Sequence, residues 1–263
     1  MKLKKLVIIF SIINILVLTG CASNVEESDL GLQKEDTIFQ VATIQSLLEG
    51  NYDGYLSFEE LKKAGDVGIG TFEAADGEMI MIDDIVYQAK ADGTVAIVPD
   101  SEKTPFAVVT TFNDDETVEL GQIDSLEDLE KKLDNFIASK DLFYVFRINA
   151  NFDSLQVRSV PAQEKPYPVL SEVVKEQSVF NYDGNSGTLI GFWCPDNLGG
   201  INVSGYHFHF ISEDRTQAGH VLNLSFSTAQ VSVDESNGFE MAVYDTCSEE
   251  NIGNVQEAID SVE

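Results

Sequence analysis

Histidine is scarce in this chain, with three copies in 263 residues, and cysteine is equally rare. Positive charge is short as well: 16 Lys and Arg stand against 45 Asp and Glu, for a formal net charge of −29. A field of that sign repels phosphate backbones and anionic head groups, which argues against a nucleic-acid partner. It does not argue against a small anionic substrate, because a local cation can dominate a pocket whatever the global charge. The apolar run at 6–18 is shorter than the roughly 20 residues that cross a bilayer as a helix. Cysteine usage permits one disulfide between Cys194 and Cys247 without implying it, and both read as buried thiols.

What is present begins with a leader. Lys2, Lys4 and Lys5 precede the apolar run, so residues 1–20 read as an export signal. The run ends in Leu18-Thr19-Gly20-Cys21, which resembles a bacterial lipobox and implies lipidation of Cys21 after cleavage. Loss of the three lysines would take the net charge from −29 to −32. Residues 21–35 are polar and acidic, as suits a tether. The expected location is the outer face of the cytoplasmic membrane, as a lipoprotein, or outside the cell, with the lipid as the only membrane contact.

The globular part starts near Asp36. Apolar spacing over 36–48 predicts a first helix, and Ser57 with Glu60 forms a capping box for a short second helix that Gly65 ends. Strand-like segments follow at 67–72, 79–82, 85–89, 95–98, 106–112 and 117–120, with Asp76-Gly77 and Asp92-Gly93 as turns. An amphipathic helix is predicted over 125–140 and a strand over 142–148. Pro161, Pro166 and Pro168 mark a crossover, so the division expected is 36–165, a mixed β domain with helices, and 166–263, a β domain carrying the histidines. In the second half strands are predicted at 187–193, 206–211, 220–226 and 241–244, and a closing helix at 255–262. The fold class is α/β in the broad α+β sense, mostly β: two β-sheet sub-domains with a few flanking helices and the metal site between them.

All three histidines fall in one short stretch, Tyr206-His207-Phe208-His209-Phe210 and Gly219-His220. On a strand, His207 and His209 project to the same side while Tyr206, Phe208 and Phe210 take the other. A turn through the polar 212–218 segment brings His220 alongside. Three imidazoles suit one zinc-type ion with coordination positions left for water, carboxylate or substrate. Two other patterns are weaker. Glu49, Asn51, Asp53, Gly54, Leu56 and Glu60 fall at calcium-loop positions, but Glu stands where Asp is usual, and the segment reads as a turn. His207-x-His209 with Glu213 and Gly219 is similar to a cupin motif, yet no further histidine follows His220.

The 187–220 stretch, from Gly187-Thr-Leu-Ile-Gly-Phe-Trp-Cys to Gly219-His220, resembles the signature of the alpha-acetolactate decarboxylases. Further matching segments are Arg158-Ser-Val-Pro at the head of 158–170, Gly68-Ile-Gly-Thr-Phe72, Asp76-Gly-Glu78 and Leu47-Leu-Glu-Gly-Asn-Tyr-Asp-Gly54, which together span nearly the whole globular part. The resemblance implies a two-domain, mostly β chain, often a homodimer, that converts 2-acetolactate to acetoin and carbon dioxide around one zinc ion. It implies His207, His209 and His220 as metal ligands, Glu78 as a carboxylate at the metal, Arg158 as the cation on the substrate side and Thr71 as a pocket residue. A site glutamate near the C-terminus is matched to Glu263 rather than Glu257. Asn149-Ala150-Asn151 departs from the family pattern, and the chain ends at Glu263 itself. From another class, a lipid-anchored metal- or solute-binding protein without turnover is the rival expectation.

Overall fold

A computed structural model describes residues 36–244 and 254–263, so the leader, Cys21, the tether and Cys247 lie outside the described residues. In chain order the first strands are β1 (Thr37–Val41), β2 (Leu56–Ser57), β3 (Val67–Thr71), β4 (Glu78–Ile82), β5 (Ile85–Ala89), β6 (Val95–Ile97), β7 (Lys103–Thr104) and β8 (Ala107–Thr110). Then come β9 (Glu116–Leu120), β10 (Phe143–Ser159), β11 (Ser178–Asn181), β12 (Asn185–Cys194), β13 (Gly205–Ser212), β14 (Ala218–Ser236) and β15 (Gly238–Ala242). The helices are short: α1 (Ile44–Leu48), α2 (Phe58–Leu61), α3 (Leu126–Leu133), α4 (Leu170–Val173) and α5 (Val255–Asp260). None of the described helices is long and apolar enough to cross a membrane.

Two large sheets carry the chain, and the mostly β expectation holds. The first runs β15-β1-β8-β3-β4-β5-β6, and the second β11-β10-β12-β13-β14-β9. In the second sheet β10 also pairs with β14, so β10, β12, β13 and β14 form a closed circuit of pairings and the sheet curls on itself. Period-two alternation then sorts the side chains into three cores. Phe146, Phe152, Phe208, Phe210 and Phe226 fill the curl, which Leu129 and Leu133 of α3 close. Ile38, Ile80 and Val108 of the first sheet meet Val145, Ile190 and Phe192 of the second. Met79, Met81 and Val86 face away from that interface and pack on Phe58 and Leu61 of α2.

The first predicted helix is a correction. Residues 37–41 form β1, paired with β8 on one side and, in parallel, with β15 on the other. Ala42 then takes a positive φ of 58°, and Thr43 caps the short α1 by accepting from Ser46 N–H. The apolar spacing suited either structure, and two strand partners decided the outcome. Ser57 caps α2, accepting from Glu60 N–H as expected, while the Glu60 carboxylate accepts from Lys63. The 125–140 helix ends early, at Leu133, followed by a single 3₁₀ turn. β10 and β14 run far beyond the predicted segments because each serves partners on both sides along its length.

One acid in this framework carries a measurable consequence. Asp234 of β14 is fully buried; its Oδ2 accepts from Asn113 N–H at 3.2 Å and its Oδ1 has no partner. Burial pushes its carboxyl up to about 8, against the pull of the Asn113 N–H, and Asp115, Asp36 and Asp114 push the same way. The folded state therefore favours the protonated form. Stability from this group is complete below the ordinary value of 3.8 and is lost as pH rises toward about 8. Asp234→Asn keeps an acceptor for Asn113 and cannot ionise. Thermal melts should show the variant gaining more over the native chain at pH 8 than at pH 5, and equal gains would contradict this reading.

Candidate active site and metal centre

The polar residues of the site interrupt the apolar interface between the sheets. On β13, His207 and His209 share a face with Ile211, which belongs to the inter-sheet core, while Phe208 and Phe210 turn into the curl. On β14, His220 stands opposite His209 in register and opposite Arg158 of β10 on its other side. His209, His220 and Arg158 thus form one row across three adjacent strands, with neighbouring Cβ atoms about 5 Å apart by sheet geometry. The close approach of β14 to β10 requires Gly219: a Cβ there would lie 2.6 Å from the Arg158 carbonyl oxygen.

The imidazoles meet at one point. His207 Nε2 lies 3.1 Å from His209 Nε2 and 3.0 Å from His220 Nδ1, and the three ligand atoms lie within 4.8 Å of one another. His209 Nδ1 is 2.8 Å from the Met79 carbonyl oxygen of β4. A carbonyl only accepts, so Nδ1 carries the proton and Nε2 presents a lone pair to the cluster. Burial lowers the pKa of all three rings, that of His207 to about 3, and Arg158 pushes each further down. Neutral rings with convergent lone pairs are the ligand form. Nitrogens at 2.0–2.1 Å from a tetrahedral ion stand roughly 3.3 Å apart, close to the 3.1 and 3.0 Å that separate His207 Nε2 from its two neighbours.

Carboxylates approach from two sides. Glu78 opens β4 on the same face as Ile80 and Ile82, and its Oε2 is 3.6 Å from His209 Nε2. Glu263 Oε2 is 3.6 Å from His220 Nε2, the nitrogen that does not face His207. The C-terminus is tied down: Val262 and Ile259 are buried in the inter-sheet core, and Glu263 N–H donates to Ile259 O. Glu257 is exposed on α5 and does not line the cavity. Burial pushes both Glu78 and Glu263 up to about 7 and outweighs the opposing pull of Arg158. Thr71, paired with Glu78 across the β3–β4 ladder, donates its hydroxyl to Gly77 O at 2.7 Å and so fixes the turn ahead of Glu78.

These seven residues line a single cavity of ≈ 50 Å³, room for about three to five water-sized groups. Its remaining wall is apolar, with Leu47, Phe106, Leu170, Val174 and Val262 among the lining residues. No local pattern in the sequence marks that wall, which four separate segments assemble. A larger open groove of ≈ 770 Å³ runs past Asn149, Thr188 and Gln230 and holds none of the histidines. The departing Asn149-Ala150-Asn151 segment lies there, next to a register shift in β10 and away from the cavity. Cys194 is a buried free thiol, as expected.

Comparison with known proteins follows the same lines. The sequence profile of alpha-acetolactate decarboxylase matches residues 38–249. The chain belongs to the alpha-acetolactate decarboxylase family. Its relative from Methanosarcina mazei is 43% identical over 253 residues, covering 93% of this chain and 88% of that protein. The one from Methylococcus capsulatus is 44% identical over 212 residues, covering 80% of this chain and 81% of the relative. The crystal structure of the alpha-acetolactate decarboxylase of Bacillus subtilis strain 168 superposes with a TM-score of 0.83 at 38% identity, covering 86% of this chain and 99% of that one. The cupin and capture-protein alternatives gain no support from these relatives.

Proposed function

We propose that this member of the alpha-acetolactate decarboxylase family decarboxylates 2-acetolactate to acetoin with one zinc ion held by His207, His209 and His220. The observation that carries the reading is the convergence of three neutral imidazoles, His209 and His220 buried and His207 half-buried, on a cavity that also holds a buried arginine. That donor set suits zinc or a similar borderline ion, because imidazole binds such ions well and the open face leaves positions for oxygen donors. When bound, the ion supplies a Lewis acid that draws charge from the hydroxyl and keto oxygens of the substrate.

The chain's own groups account for the rest. Arg158 offers a buried cation to the substrate carboxylate, and the enclosing apolar wall keeps water from competing for that pairing. As the bond to the carboxylate breaks, its electron pair passes into the adjacent keto group and carbon dioxide leaves. The carbon then takes up a proton. Glu78 and Glu263, both pushed to about 7, are matched to hold and deliver a proton near neutrality. Thr71 and the Met79 carbonyl keep Glu78 and His209 in place.

Racemic acetolactate added to zinc-loaded protein should yield acetoin, and a chelator should stop it. No acetoin from metal-replete protein would sink the decarboxylase reading. The leader and Cys21 support an exported, lipid-anchored form, and the family supports a homodimer. Radiolabelled palmitate should mark the native chain and not Cys21→Ala; equal labelling would rule out Cys21 as the anchor.

A further inference from the structure

Arg158 is a buried cation with five N–H donors and, among the described residues, one side-chain hydrogen bond: Nη1 donates to Gln177 Oε1 at 3.3 Å. Its Nε–H has no partner. A guanidinium so sparsely held, at the wall of a cavity, has its orientation set by that one contact. Gln177 itself does not line the cavity. It sits where the turn after α4 meets β11, its N–H donating to Val174 O, and the β10–β11 register places Val179 opposite Arg158. The amide therefore reaches the guanidinium from behind, out of reach of a substrate.

Its chemical type is informative. A carboxylate at this place would pair with the guanidinium and take up its charge. An amide carbonyl accepts one N–H and leaves the full positive charge facing the cavity. We propose that Gln177 is a positioning residue that aims the Arg158 guanidinium at the carboxylate of an anionic substrate while leaving its charge free. The inference rests on the decarboxylase reading.

The test compares Gln177→Met, which keeps length without an acceptor, and Gln177→Glu, which keeps an acceptor and adds charge, with the native zinc-loaded enzyme. Kinetics with acetolactate are accompanied by inhibition by 2-hydroxyisobutyrate, an anion, and by acetoin, which is neutral. Both variants should keep full zinc content. Each should raise KM for acetolactate and weaken 2-hydroxyisobutyrate about five- to tenfold, the scale of one ordinary hydrogen bond, with kcat less affected. Acetoin inhibition should stay within about twofold of native, which a general loss of packing would not allow. Equal changes for both inhibitors, or no change for either, would overturn the positioning role. Native behaviour of Gln177→Glu alongside a defective Gln177→Met would overturn the argument from charge. A native enzyme that makes no acetoin would overturn the decarboxylase reading and this inference with it, whereas native turnover with unresponsive variants overturns this inference alone.

Discussion

Replacing His209 with alanine is expected to empty the metal centre and abolish turnover together. His209 is 1% exposed and is the ring whose tautomer is fixed by the Met79 carbonyl, so it is the best-held member of the cluster. Its loss leaves two imidazoles and a gap on the side of Glu78. Zinc content should fall from one equivalent to a trace. Turnover should fall by about a thousandfold or more, roughly 4 kcal/mol of barrier, the scale of Lewis-acid stabilisation. Metal analysis and acetoin formation on the same preparation check both, with far-UV circular dichroism to establish folding. Full zinc with full rate in the variant would remove His209 from the ligand set.

Arg158→Ala is expected to separate what His209→Ala joins. The arginine lies in the same cross-strand row as His209 and His220 but donates no ligand atom, so zinc should remain at one equivalent. A charge-assisted hydrogen bond contributes about 1.5–3 kcal/mol, so kcat/KM for acetolactate should fall roughly ten- to hundredfold. The smaller effect follows from physics: an ion acts directly on the developing charge, whereas the guanidinium acts on the leaving carboxylate. Lysine should not restore the rate fully, because a compact ammonium lacks the planar fork of the guanidinium. Steady-state kinetics beside metal analysis read the outcome, and loss of zinc in Arg158→Ala would show that the arginine builds the metal centre as well.

The histidine clip was legible because it depends only on local rules: alternation along β13 and a short turn into β14. The same alternation placed Phe208 and Phe210 in the core. It did not reveal that the histidine face is buried too, since that follows from the first sheet lying over it, with Met79 O reaching His209 across 130 residues of sequence. Glu78, Arg158, Thr71 and Glu263 carried no distinguishing local signal. Their places came from family resemblance, and by residue type alone each would have been read as a surface group or an ordinary strand residue. Gln177 was missed altogether, because a glutamine at the end of a turn shows nothing in sequence of the cation it faces. The first helix was misread for the converse reason: five residues of β1 are too few for periodicity to decide, and β8 and β15, which decide it, lie far along the chain.

X-ray absorption at the zinc edge of the zinc-loaded protein reads the ligand set at the three histidines. One ion per chain is expected, with three imidazole nitrogens at about 2.0–2.1 Å and the remaining positions filled by oxygen. A first shell with one imidazole or none, or binding well below one equivalent, would contradict it.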